Sequence, residues 1–225
     1  MSRDRLIRWV AKPIVWVIAF LPAAFMAWAA LNGRLGADPL KEITHETGDW
    51  TIRFVVITIA ISPVRRLSGW NSLIRFRRLA GLFAFFYGTL HFLIYVIADR
   101  FAGLEFRDGI WALSTARELA LSIWDDIYKR PYITVGFTGF VAMIPLAVTS
   151  TAASIRRLGG RNWNRLHRLV YLTAVAGVVH YWWLVKADIR HPAVYAALVA
   201  LLLGSRLVLA VKRARVQRQP VQVRA

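Results

Sequence analysis

RNWNRLHRLVYLTAVAGVVHYWWLVK, residues 161–186, is a hydrophobic run with a histidine near each end, His167 and His180. An imidazole placed in lipid is costly unless something satisfies it. A second run, RRLAGLFAFFYGTLHFLIYV at residues 77–96, repeats the pattern with one substitution. Thirteen residues separate His167 from His180, and thirteen separate Arg78 from His91. The two runs therefore match as ladders, with His180 level with His91 and His167 level with Arg78.

Composition points to the same solvent. Hydrophobic residues make up 57% of the 225, charged residues 19%, and ten are Trp. The chain has no Cys, which removes disulfides, thiolate nucleophiles, Cys-ligated iron–sulfur clusters and Cys-based zinc sites. Any metal or cofactor must be held by His, carboxylates or noncovalent contacts. A net charge of +18 would suit nucleic acid, but the basic residues cluster between long apolar runs, so contact with anionic lipid is the expectation instead.

Taken in order, the apolar runs are residues 13–31, 50–64, 79–98, 131–152, 166–185 and 192–211. The first follows Arg3, Arg5, Arg8 and Lys12 and resembles a signal peptide, with Ala27-Trp28-Ala29 as a loose cleavage site. At 19 residues it is long for a signal core and adequate for a span, so a retained first helix is expected. In lipid the backbone must bond within its own segment, so all six runs read as helices. The expected fold is an all-α polytopic membrane protein with six transmembrane helices in a single domain. The second run is short, which implies an earlier start or shielding by its neighbours.

Charge sets the orientation. Segments 1–12, 65–78, 153–168 and 206–225 hold 20 of the 30 basic residues and one of the 12 acidic ones, Asp4. The positive-inside rule puts them, and both termini, in the cytoplasm. The outer loops are then 32–49, 99–130 and 186–191. In the long one, Ile110, Leu113, Leu119, Ile123 and Ile127 recur at roughly helical spacing, as in a helix lying on the outer surface or covering the bundle. The basic stretch after Leu209 reads as a disordered tail.

At about 1.5 Å per residue, His91 lies roughly 18 Å from Leu79 and His180 roughly 21 Å from Leu166. Both are beyond the bilayer midplane, at one depth. Each follows a glycine by three residues, Gly88 and Gly177, leaving the same face bare one turn below the imidazole. A flat macrocycle needs that room. His91 and His180 are the expected axial ligands of a heme iron, and iron saturated by two imidazoles moves electrons and leaves no place for oxygen. His167, at the inner boundary with Arg77, Arg78, Arg165 and Arg168, is a candidate alternative ligand, a partner of propionate or phosphate, or an interface residue. Arginine forks suit the phosphate of a flavin or the head of a quinone, and a solvated positive-inside face explains the same residues. His45 and His191 read as solvated or interfacial.

The set of motifs LGADP (35–39), RRLAGL (77–82), TLH (89–91), RPYITVGF (130–137), TST (149–151), LHRLVYL (166–172) and HYWWLVK (180–186) resembles the MsrQ (YedZ) family in order and spacing, almost end to end. That family is the heme-binding membrane subunit of the periplasmic methionine-sulfoxide reductase system, within the ferric-reductase-like superfamily. The resemblance implies a subunit of the bacterial inner membrane with heme b and FMN. It would take electrons from the quinone pool or a cytoplasmic flavin reductase. It would pass them to a periplasmic molybdenum-cofactor partner that reduces methionine sulfoxide in oxidised proteins, with no substrate chemistry on this chain alone. The superfamily's outer histidine pair falls on His91 and His180. Its inner pair falls only on His167, because Arg77 or Arg78 stands opposite. That departure puts a second heme in doubt and leaves cytoplasmic space for FMN near Arg77, Arg78 and His167. The competing readings are a proton-coupled transporter using intramembrane histidines and a membrane anchor without redox function. The first would want intramembrane carboxylates, which the span interiors lack.

Overall fold

In a computed structural model the protein is described over residues 2–97, 113–185 and 187–218, and all regular structure in them is helical. A short α1 (Arg3–Leu6) passes through a π-helical turn into α2 (Lys12–Leu31). Next come α3 (Pro39–Ser68), α4 (Ile74–Tyr95), α5 (Leu113–Lys129) and α6 (Pro131–Val148). The chain ends with α7 (Ala152–Leu166), α8 (Leu169–Leu184) and α9 (Arg190–Arg218).

Four stretches are long and apolar enough to cross a membrane: Asp4–Leu31, Asn71–Tyr95, Pro131–Val148 and Arg190–Val211. The expected second and fifth spans differ, each for its own reason. α8 is apolar but has only 16 residues, about 24 Å of helix against a hydrocarbon core of about 30 Å. α3 has 30 residues but a polar N-terminal half. It starts eleven residues before the apolar run because LGADP is a helix start. Asp38 accepts a hydrogen bond from the N–H of Lys41 at 3.1 Å, and Pro39 occupies the first helical position. Several polar groups of α3 are satisfied within the helix. The hydroxyls of Thr44, Thr47, Thr51 and Thr58 donate to carbonyls four residues back, and Asp49 pairs with Arg53 at 3.2 Å.

α3 packs along α4 and α6 along α8, and α8 and α9 also touch α3. Val55 and Ile59 of α3, Phe83 and Tyr87 of α4 and Ala174 of α8 form the buried centre. Tyr87 is fully buried there. Its hydroxyl donates to the carbonyl of Ala19 at 2.7 Å and accepts from the N–H of Ala23 at 3.2 Å. Those two groups are i, i+4 partners in an unbroken helix, and Pro22, which has no N–H to give, lies between them. The Tyr87 hydroxyl is thus inserted into the ladder of α2. Tyr87→Phe is expected to cost about 1–3 kcal/mol by leaving buried polar groups short of a partner, seen as a lower melting temperature in detergent. An unchanged melt would mean that Ala19 and Ala23 close on each other instead.

Three further segments depart from the sequence expectation. α7 is a helix where only a basic inner loop was read. It is capped by Thr151, which accepts from the N–H of Ser154 at 3.0 Å, and it bends at Gly159, where φ is +73°. α9 continues to Arg218 because Lys, Arg and Gln favour helix and no Gly or Pro occurs in residues 205–218. The disordered tail expected from 210 therefore does not hold as far as 218. α5 covers the bundle: Ile123 and Ile127 face a cavity inside it, while Trp124 and Tyr128 are exposed. Ile110, also assigned to that helix, lies outside the described residues.

Candidate functional site

α4 and α8 carry His91 and His180 into a shared cavity of about 520 Å³, bounded by α3, α4, α5, α6 and α8. The two ring centroids are 6.1 Å apart and the ring planes cross at 80°. Each imidazole is held from behind by a backbone carbonyl of another helix. The His91 Nδ1 lies 2.9 Å from the carbonyl oxygen of Thr44 in α3. The His180 Nδ1 lies 2.7 Å from that of Tyr132 in α6. A carbonyl only accepts, so Nδ1 carries the hydrogen in both rings and Nε2 keeps its lone pair. No hydrogen bond to either Nε2 is made among the described residues. Such a donation at Nδ1 fixes a ligating histidine's tautomer and raises the basicity of its other nitrogen.

Glycines set the rings in place. A Cβ on Gly136 would come within 2.6 Å of the His180 Nδ1, and one on Gly48 within 3.1 Å of the His91 Cε1. Both are therefore seats for an imidazole. Gly88 and Gly177 line the cavity too, but their missing side chains are replaced by neighbours. A Cβ on Gly88 would meet the Met143 Cε at 2.8 Å, and one on Gly177 the Ile52 Cδ1 at 3.0 Å. Their bareness serves helix packing at the cavity wall. The seats at Gly48 and Gly136 went unread because the ring each receives comes from a helix distant in sequence. Gly136 lies inside the quoted RPYITVGF motif, but its spacing carries no sign of the ring above it.

The other candidate residues do not join this pair. His167, Arg77 and Arg78 are absent from the cavity lining. The His167 Nε2 is 3.1 Å from the Thr149 hydroxyl, and its ring stacks on Trp163 at 3.7 Å. Arg77 donates to the Ser62 hydroxyl at 3.3 Å, and Arg78 is exposed. Sequence reasoning counted Arg206, near the end of the sixth run, only among the basic residues of 206–225. The structure puts it between helices, donating to the Tyr171 hydroxyl and, at 2.7 Å, to the carbonyl of Ile59. Among the described residues no group of three His, Asp or Glu could hold a metal ion.

Residues 15–178 match the family of the ferric reductase like transmembrane component. The chain is 49% identical over 195 residues to a protein-methionine-sulfoxide reductase heme-binding subunit MsrQ of Ralstonia nicotianae, covering 86% of this chain and 82% of that one. It belongs to the MsrQ family. MsrQ proteins of Xanthomonas oryzae pv. oryzae and Herminiimonas arsenicoxydans are 46% and 44% identical. Those matches cover 88% and 87% of this chain, and 85% and 84% of the relatives. No solved structure matches. The family match at residues 15–178 runs over α3, α4 and α6 and into α8, ending two residues before His180.

Proposed function

We propose that this chain is the heme-carrying, electron-transferring membrane subunit of a protein-methionine-sulfoxide reductase system, with His91 and His180 as the axial ligands. One observation carries the reading: two imidazoles from separate helices share a cavity at 6.1 Å between centroids, each with its Nδ1 committed to a carbonyl. A metal bound by imidazole lies about 2 Å from the nitrogen, so two opposed ligands stand about 6 Å apart centre to centre. The donor set also fits. Among the described residues no third His, Asp or Glu is grouped with the two imidazoles to complete a metal site, and a porphyrin would bring the remaining ligands itself.

A b-type heme bound there supplies a one-electron redox change with no open coordination site. The protein's part is to orient and to exclude water. The Thr44 and Tyr132 carbonyls hold the rings, and Phe92, Phe140 and Met143 give the cavity an apolar wall. The finer reading keeps six spans with both termini in the cytoplasm of a bacterial inner membrane, supported by the charge asymmetry of the loops. It also keeps quinone or a cytoplasmic flavin reductase as donor, and a periplasmic molybdenum-cofactor partner docking on the loop 99–130, of which residues 113–130 are described. FMN is placed at the inner face by Arg77, Arg78 and His167, where Arg77 and His167 are partly buried.

The test is the purified full chain. A reduced-minus-oxidised spectrum of low-spin b-type heme is expected, and it should survive His167→Ala, whose ring is tied to Thr149 and Trp163. Extraction should release FMN, at reduced yield from His167→Ala and Arg78→Ala. Colourless protein would hand the function to the anchor or transporter readings. Equal heme loss in His167→Ala would move the ligand set to the inner side.

A further inference from the structure

The cavity is electrically lopsided. Along α3 its lining runs Asp38, Lys41, His45 and Asp49, and then turns apolar at Ile52 and Val55. At about 1.5 Å per residue this is a slot about 25 Å long with charge at one end only. From the other helices, Arg130 joins the charged end, while Phe140 and Met143 join the apolar one. None of the inner arginines, Arg65, Arg66, Arg77 or Arg206, lines it.

Of the charges at the mouth, the acids are already engaged. Asp38 caps α3 through the N–H of Lys41, and Asp49 pairs with Arg53 at 3.2 Å. Asp126 is buried, accepts from the Tyr95 hydroxyl at 2.6 Å and holds the Arg130 Nε at 3.3 Å. That contact uses the side edge of the guanidinium. The edge formed by its two terminal nitrogens is the one that matches a second carboxylate in two parallel hydrogen bonds. Lys41 has no carboxylate partner among the described residues.

We propose that Arg130 and Lys41 are a carboxylate clamp for the heme propionates, so that the macrocycle stands with its carboxylate edge toward the start of α3 and its hydrocarbon edge toward Val55 and Met143. This rests on the heme reading above. The reverse orientation would set two carboxylates against Val55, Phe140 and Met143, with no donor to replace their hydration. Arg130 and Lys41 are positioning residues. They touch neither axial ligand, and Asp126 with Tyr95 holds the guanidinium in place.

The experiment is a redox titration with resonance Raman spectra of the purified full chain and its Arg130→Gln, Lys41→Gln and Arg66→Gln variants. Removing a nearby cation favours the oxidised, more positive heme, so the midpoint should fall in both outer variants. A tenfold change in the one-electron equilibrium, about 59 mV, is the size expected for the pair combined. The propionate bending bands should shift in the same two variants, and Arg66→Gln, exposed on the inner side, should match wild type in both readouts. If Arg130→Gln empties the site, Arg130→Lys should refill it. The proposal is overturned by unmoved propionate bands in both outer variants, by an equal shift in Arg66→Gln, or by an Arg130→Lys protein as empty as Arg130→Gln. Wild-type protein without heme is a different failure, and sinks the underlying reading first.

Discussion

Replacing His91 by alanine is expected to abolish the low-spin heme spectrum, and His180→Ala is expected to do the same. Each ring is positioned by one carbonyl on another helix and faces the other across 6.1 Å. With one gone, the survivor leaves the opposite axial position open, and the spectrum should fall to high-spin or to nothing. The double variant should lose no more than the worse single one, because the two rings act as a unit. The helices themselves should persist, since both rings face the cavity and the apolar centre formed by Ile59, Phe83, Tyr87 and Ala174 is left intact. The measurement is heme per protein, beside gel-filtration profile and helical circular dichroism. Imidazole added to His91→Ala should restore part of the low-spin band by filling the vacated position. A folded variant with wild-type absorbance would strike that histidine from the ligand set.

Gly136→Ala should be nearly as damaging without touching a ligand. Its new Cβ would sit 2.6 Å from Nδ1, 2.9 Å from Cε1 and 3.0 Å from Cγ of His180. Real side chains do not approach so closely, so something must move. A long flexible neighbour would yield cheaply, but this ring is fixed by its 2.7 Å contact with the Tyr132 carbonyl, four residues back on the same helix. To clear the methyl, the ring must leave that carbonyl or α6 must back away from α8. Either route costs the tautomer and the aim of Nε2. Heme content is expected to drop at least tenfold, which corresponds to about 1.4 kcal/mol of lost binding. Gly48→Ala, with its nearest His91 atoms at 3.1 and 3.2 Å, should lower loading less, because a few tenths of an ångström relieve it. Normal loading in Gly136→Ala would mean that the bound ring does not sit where the structure puts it.

The sequence made the histidine pair legible because helical rise converts residue counts into depth, and both counts start from recognisable boundaries. It made the all-helical class legible because apolar runs of span length have few other solutions. The start of α3 was harder. Hydropathy stops at the threonines and at Asp49, and only the bonds that satisfy them within the helix show why the chain stays helical out to Pro39. α7 was missed because its basic residues read as a loop when counted for charge alone. Thr44 and Tyr132 act through backbone carbonyls, which any residue could supply, so no letter of the sequence marks them. Tyr87 and Arg206 looked ordinary for a similar reason: what defines them is a partner on α2 in one case and on α3 and α8 in the other.

α3 and α8 are the two central helices that fall short of crossing a membrane by length and composition, and they bring Thr44, Gly48 and His180 to the site. A segment too polar, as α3 is, or too short, as α8 is, to span alone needs an already seated neighbour to receive it. α4 packs against α3, and α6 and α9 pack against α8. Biogenesis therefore makes the paired-histidine site a late product: it exists only once the competent segments have recruited the reluctant ones. A nascent chain stalled before α9 emerges would hold His91 in the bilayer with its counterpart not yet secured.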